Sequence, residues 1–258
     1  LILGIWGFVS DKDHRMQLPF ATSDFKNVSF KPVLILVLSA FCLVCIHFLS
    51  GRLGFDFVSA QIPVLSEEAH RDFWKMIFWA GTTIFFYVVI PILVIRWVFK
   101  EKISEYGLKW KGAFSFAGFY ALAFLLLFPF VVWVSFSPEF QVTYPFFVPT
   151  DRNEMIPYFL VWEIFYVAQF FALEFFFRGW MVLGLKKDLG LYSVFVMVLP
   201  YCMIHFTKPM PECVGSIFAG VFLGLMTYRT QSVWMGALLH VAVALSMDFL
   251  SLWHKGYF

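Results

Sequence analysis

Four polar residues lie inside long apolar stretches of this chain: Glu174, Arg178, His205 and His240. A charge at the centre of a membrane helix costs about 2.5–3.5 kcal/mol on insertion scales, so each group needs a partner or a function. Glu174 and Arg178 are one helical turn apart and can pair. The two histidines have no such neighbour in sequence, so their partners must come from other helices. A carboxylate and two imidazoles withdrawn from water are suited to moving protons. Glu174, His205 and His240 are equally a ligand set that zinc accepts, although no H-E-x-x-H helix is present.

The elements that must hold these groups follow from composition. The chain of 258 residues is 61% hydrophobic and 14% charged, whereas a soluble domain is about 45–50% apolar and about 25% charged. Several stretches exceed the ~18–20 apolar residues that cross a bilayer as a helix. Strands of a membrane barrel would be about ten residues long with polar alternation, a pattern this sequence lacks. The fold class expected is all-α, a polytopic transmembrane helical bundle of about seven spans. These run at roughly 33–50, 73–99, 113–136, 156–187, 190–206, 212–228 and 232–253. Residues 1–31 read as a cytoplasmic or interfacial N-terminal segment and 32–258 as a single transmembrane domain. The start at Leu1 rather than Met reads as a trimmed N-terminus, with no signal-peptide cleavage site and too short an apolar run before residue 10 to span. A net charge of +2 gives no basis for nucleic-acid binding; membrane lipid is the expected surrounding.

Lysine and arginine set the orientation. The segment before span one carries Lys12, Arg15, Lys26 and Lys31, the loop after span two Arg96, Lys100, Lys102, Lys109 and Lys111, and the later turns Lys186, Lys187 and Arg229. The alternate loops are poorer, holding Arg52, Arg71 with the adjoining Lys75, Arg152 and Lys208. The expectation is an integral membrane protein with a cytoplasmic N-terminus and its C-terminus outside.

Depth can be counted as well. Spans four and five form a hairpin turning near Leu189-Gly190, and Glu174 and His205 each lie about 15 residues, roughly 23 Å, from that turn. Facing each other, they would make a water-activating pair, with His240 able to join from span seven. Alone, each histidine reads as a neutral core residue bonded to a backbone carbonyl; together with an acid at compatible depth, they read as a site. Glu163, three turns before Glu174, and Asp248, two turns after His240, are supporting candidates. Glu212 reads as a helix N-terminal carboxylate, the phenylalanines at 175–177 as bulk, and Cys42 and Cys45 as small core residues. Ser216, Gly220 and Gly224 give span six a face that another helix can approach closely.

Three short strings follow in order. Leu173-Glu174-Phe175-Phe176-Phe177-Arg178-Gly179 is followed by Tyr201-Cys202-Met203-Ile204-His205, and then by Arg229-Thr230-Gln231-Ser232-Val233-Trp234 leading to Leu238-Leu239-His240. Across residues 156–250 this series resembles the CPBP family, the CAAX-processing and bacteriocin-immunity (Abi) membrane proteases. The resemblance implies a multi-pass intramembrane endopeptidase of a bacterial cytoplasmic membrane, with a glutamate base, a metal-free mechanism and a membrane-associated or prenylated-type peptide as substrate. On that pattern Glu174 activates water, His205 orients it, His240 stabilises the oxyanion, and Arg178 supports the glutamate. Two positions depart from it. Leu173 stands where the family has its first glutamate, and Ala244 where it has an amide or carboxylate. Glu174 taking over as base and Asp248 supplying the polar group would compensate. The alternative implied by the departures is a catalytically degenerate relative that binds a membrane partner or confers immunity. A proton-relay transporter would show internal symmetry or paired broken helices, which the sequence lacks.

Overall fold

The structure is a computed structural model, and it describes residues 28–149, 153 and 155–257. Most of the N-terminal segment considered above, and Arg152, lie outside the described residues. The helices are α1 (Phe30–Leu49), α2 (Arg52–Ser59), α3 (Arg71–Phe99), α4 (Ala117–Val134), α5 (Pro138–Thr143), α6 (Met155–Leu189), α7 (Tyr192–Met203), α8 (Met210–Thr230) and α9 (Trp234–His254). Among the described residues there is no strand. Among the described residues six helices, α1, α3, α4, α6, α8 and α9, are long and apolar enough to cross a membrane.

The seventh expected span is shorter than its apolar run. Residues 190–206 read as a crossing helix, but α7 ends at Met203 after 12 residues, about 18 Å at 1.5 Å per residue. Pro200 lies inside it and removes one backbone donor from its last turn. The chain then passes through turns at 204–207 before α8 begins. The turns on either side of this hairpin fall where expected. Gly190 and Gln231 both have positive φ, +53° and +56°, and so reverse the chain between α6 and α7 and between α8 and α9.

Helix α6 organises the interior. It is α-helical from Leu160 to Glu174, winds as a wider π-helix from Phe175 to Leu183, and closes as an α-helix over Gly184–Leu189. Every residue of the π-helical segment is buried. Lipid tails are as apolar as phenylalanine, so its burial gains close packing more than transfer energy. Phe176 stacks on Tyr87 of α3 at 4.6 Å, and Trp180 donates its indole N–H to Ser39 Oγ of α1 at 2.9 Å. The phenylalanines at 175–177 are thus core. Two glycines admit the loop after α3. At Gly179 a methyl group would overlap the Tyr106 carbonyl oxygen, and at Gly184 it would fall 3.1 Å from the Tyr106 ring.

Helices α7 and α8 meet at the small residues expected of span six. A Cβ on Gly220 would lie 3.0 Å from the Tyr201 ring, and one on Gly224 only 2.7 Å from Val194 Cγ1. The segment between these helices is held by Lys208. Its ammonium lies 3.6 Å from the centroid of Phe146 and donates to the Tyr144 hydroxyl at 3.2 Å. Tyr144 in turn donates to Glu212 Oε2 at 2.6 Å, and its carbonyl accepts from Ser251 of α9 and from Lys255 just past its end. Burial pushes the Lys208 ammonium down to about 8, against the opposing pull of Glu212 and Asp248.

Two predictions follow from this packing. Gly179→Ala forces the Tyr106 carbonyl away from α6, and its thermal midpoint in lipid nanodiscs falls by the equivalent of about 1–3 kcal/mol. Lys208 gives up its proton in the folded protein before an unfolded chain would at about 10.4, so stability rises as pH climbs from about 8 towards that value. NMR of ¹³C-methylated lysines, with Lys208→Arg assigning the signal, shows a midpoint near 8, and Lys208→Met removes the pH dependence of the thermal midpoint.

Candidate active site

Glu174 is the last residue of the α-helical part of α6 and is fully buried. Its Oε1 holds two contacts. The Arg178 guanidinium reaches it at 3.0 Å from one turn on, and His240 Nδ1 reaches it at 2.9 Å from α9. A carboxylate only accepts when ionised, so Nδ1 carries the proton and donates. That leaves His240 Nε2 as the ring's free corner. The other carboxylate oxygen, Oε2, has no hydrogen-bond partner among the described residues and lies beside Gly236, where a Cβ would stand 3.0 Å from it. Gly236 sits one turn before His240 on the same face of α9, so a side chain there would collide with the acid that His240 binds.

Arg178 is as buried as its partner. Its guanidinium carbon lies 4.0 Å from the centroid of Tyr201, over the ring face, where the ring quadrupole favours a cation. Tyr201 reaches both histidines. Its ring stands across that of His205 at 4.9 Å and across that of His240 at 6.4 Å, and its backbone carbonyl accepts from His205 Nδ1 at 2.8 Å. A carbonyl can only accept, so the bond fixes the His205 tautomer and leaves Nε2 with its lone pair. Both imidazoles are thereby held by Nδ1, with Nε2 unused among the described residues. Phe170, one turn before Glu174, packs its ring 4.6 Å from that of His240.

The polar contact of Glu174 is therefore with His240, not with His205 across the α6–α7 hairpin as residue counting anticipates. The π-helical segment is the reason. Its wider turns change both the rise and the angular register of the nine residues between Glu174 and the hairpin turn, so an α-helical count misplaces Glu174. His205 also lies beyond the end of α7, where the helical rise no longer applies. It joins the set through Tyr201. Among the described residues no group of three His, Cys, Asp or Glu side chains is gathered as a metal would need; of the zinc ligand set, Glu174 and His240 meet and His205 is turned to a carbonyl.

The supporting acids form a separate cluster. Asp248 is buried and Glu163 half-buried. Their carboxyls face one another within hydrogen-bonding reach, and the charges that act on Asp248 besides Glu163 are Lys208 and Lys255. The structure joins Asp248 to that pair rather than to His240, so the compensation expected for Ala244 takes no shape here. Ala244 itself is buried in an apolar cluster with Phe73, Ala80, Phe147, Trp162 and Tyr166, and Leu173 in the cluster around the π-helical segment. Sequence reasoning left Phe170 and Gly236 unremarked. Each lies four residues before a site residue, and that spacing, on one helix face, is the signal that would have found them.

Residues 155–246 match the Rce1-like family model, described as type II CAAX prenyl endopeptidase Rce1-like. No curated protein and no solved structure matches the chain. The matched stretch begins with α6 and contains Glu174, Arg178, Tyr201, His205 and His240, the residues that the structure assembles. Over residues 155–246 the chain is similar to the Rce1-like family.

Proposed function

We propose that this protein is an intramembrane endopeptidase of the CAAX type, cleaving a membrane-associated, prenylated-type peptide by a histidine-based hydrolysis that Glu174 supports. The observation that carries this reading is the 2.9 Å contact between His240 Nδ1 and the buried Glu174 carboxylate, inside the family-matched segment. Hydrolysis needs a base for water, a donor for the oxyanion and an acid for the leaving amine. His205 is the base: its Nδ1–H is tied to a carbonyl, and Nε2 takes the water's proton. It later returns that proton to the leaving amine. His240, doubly protonated, gives its second N–H to the oxyanion while Glu174 balances the imidazolium charge. In this reading Glu174 works through His240 and does not itself meet the water, which suits an acid with no exposed surface. Arg178 offsets the carboxylate and stacks on Tyr201, and so positions both imidazoles without touching substrate.

A relative without activity that only binds a membrane peptide is the competing reading, favoured by the apolar surroundings of Leu173 and Ala244. The two are separated by cleavage of a farnesylated peptide in nanodiscs, followed by mass spectrometry. His205→Ala and His240→Ala each lower kcat/KM by about 10²–10⁴-fold, and Glu174→Gln by about 10²-fold or more, with chelator leaving the wild type unchanged. Wild-type protein that binds the peptide yet leaves it whole would sink the peptidase reading. Loss in chelator would instead show a metal. Gly236→Ala, whose methyl group meets Glu174 Oε2, lowers kcat by up to about 10²-fold and leaves KM nearly unchanged.

A further inference from the structure

The segment that carries His205 has a cysteine at each end. Cys202 lies in the last turn of α7 and Cys213 in the first turns of α8. The Cys202 thiol donates to the Cys213 carbonyl at 3.9 Å, and the two thiols lie within hydrogen-bonding reach of each other. Both residues are partly exposed, and both are free thiols in this structure. The approach is built into the helix pair. Gly220 and Gly224 leave no room for a side chain against Tyr201 and Val194, and Ser216, one turn before Gly220, bonds back to the same Cys213 carbonyl at 2.7 Å. On the orientation expected from lysine and arginine, this segment lies on the side of the membrane away from the cytoplasm, where thiols meet oxidants.

We propose that Cys202 and Cys213 are a redox-modification site, closing an intramolecular disulfide that clamps the His205 segment when a disulfide oxidant is present. The chemistry balances as two exchanges. With glutathione disulfide as oxidant, one cysteine thiolate attacks it, forming a mixed disulfide and releasing one glutathione. The other cysteine thiolate then attacks the protein sulfur of the mixed disulfide and releases the second glutathione. Two protein thiols are oxidised by two electrons, and their protons end on the two glutathione thiols. The consequence is local: α7 and α8 are joined at the ends of the segment holding His205 and Lys208, and the cross-link restricts the opened chain. Nothing in this requires the peptidase reading, and the test needs no substrate.

The full chain in nanodiscs is treated with glutathione disulfide or with dithiothreitol, alkylated, and mapped by mass spectrometry without reduction. Oxidation is expected to hide two of the four thiols, to yield a peptide linking Cys202 to Cys213, and to raise the thermal midpoint by several degrees. Cys202→Ser and Cys213→Ser each abolish the linked peptide and the shift, while Cys45→Ser retains both. Cys202→Ala and Cys213→Ala repeat the comparison should either serine variant fold poorly. Four thiols that stay open to alkylation after oxidation, glutathione adducts without the link, or a link confined to Cys42 and Cys45 would overturn the proposal.

Discussion

An acid with no exposed surface, placed among phenylalanines in a helix that spans a membrane, governs the architecture around it. Stripping one partner from a buried ion pair costs about 3–5 kcal/mol, so the fold must keep the partners of Glu174 in place. One comes from its own helix and one from α9. Arg178 then needs accommodation of its own and finds the face of Tyr201. Tyr201 holds His205 by its carbonyl. The series Glu174, Arg178, Tyr201, His205 is thus a succession of debts, each settled by the next residue, and it ends at an imidazole whose Nε2 is open. The same carboxylate, through His240, leaves a second imidazole in that condition.

Two kinds of packing hold this series, and they differ in rigidity. Around the π-helical segment the fit is apolar and dense, with glycines wherever backbone meets ring or carbonyl. At the end of the bundle near Tyr144, polar groups do the holding: Lys208, Glu212, Ser251 and Lys255 converge on one tyrosine. His205 lies between the two regimes. Its helix packs tightly onto α8, while three residues further on the chain is held by an ammonium that burial disfavours. The dense side fixes where the imidazole starts, and the polar side sets how firmly its loop is held.

Much of this was legible in the residues. Apolar length marked the spans, and the expense of charge in lipid singled out Glu174, Arg178, His205 and His240 before any geometry. The small residues of α8 announced a close helix approach without naming the partner, which the structure shows to be α7. What escaped was angular. A π-helix carries no composition of its own: phenylalanine, glycine and tryptophan at 175–183 suit an α-helix equally well, and only packing against Tyr87, Tyr106 and Ser39 selects the wider winding. The partner of Glu174 was therefore misjudged from a count that assumed 1.5 Å per residue. The length of α7 was misjudged because hydropathy at 190–206 is continuous while the backbone is not. Asp248 was legible as an interior acid, yet its direction depended on Glu163, a residue on another helix that no local spacing connects to it.

The winding of 175–183 also bears on how such a chain can change over generations. A π-helical turn spends more residues per revolution than an α-helix, so the segment stores surplus chain between Glu174 and the α6–α7 turn. Losing a single residue there would let the segment relax to ordinary α-helix. Losing a residue from the α-helical stretch Gly184–Leu189, which has no surplus to give up, would instead rotate everything on its N-terminal side by about 100° relative to the hairpin, carrying Glu174 away from His240 with every amino acid of the site still present. In this protein the number of residues between the acid and the turn is inherited information of the same rank as the identity of the acid.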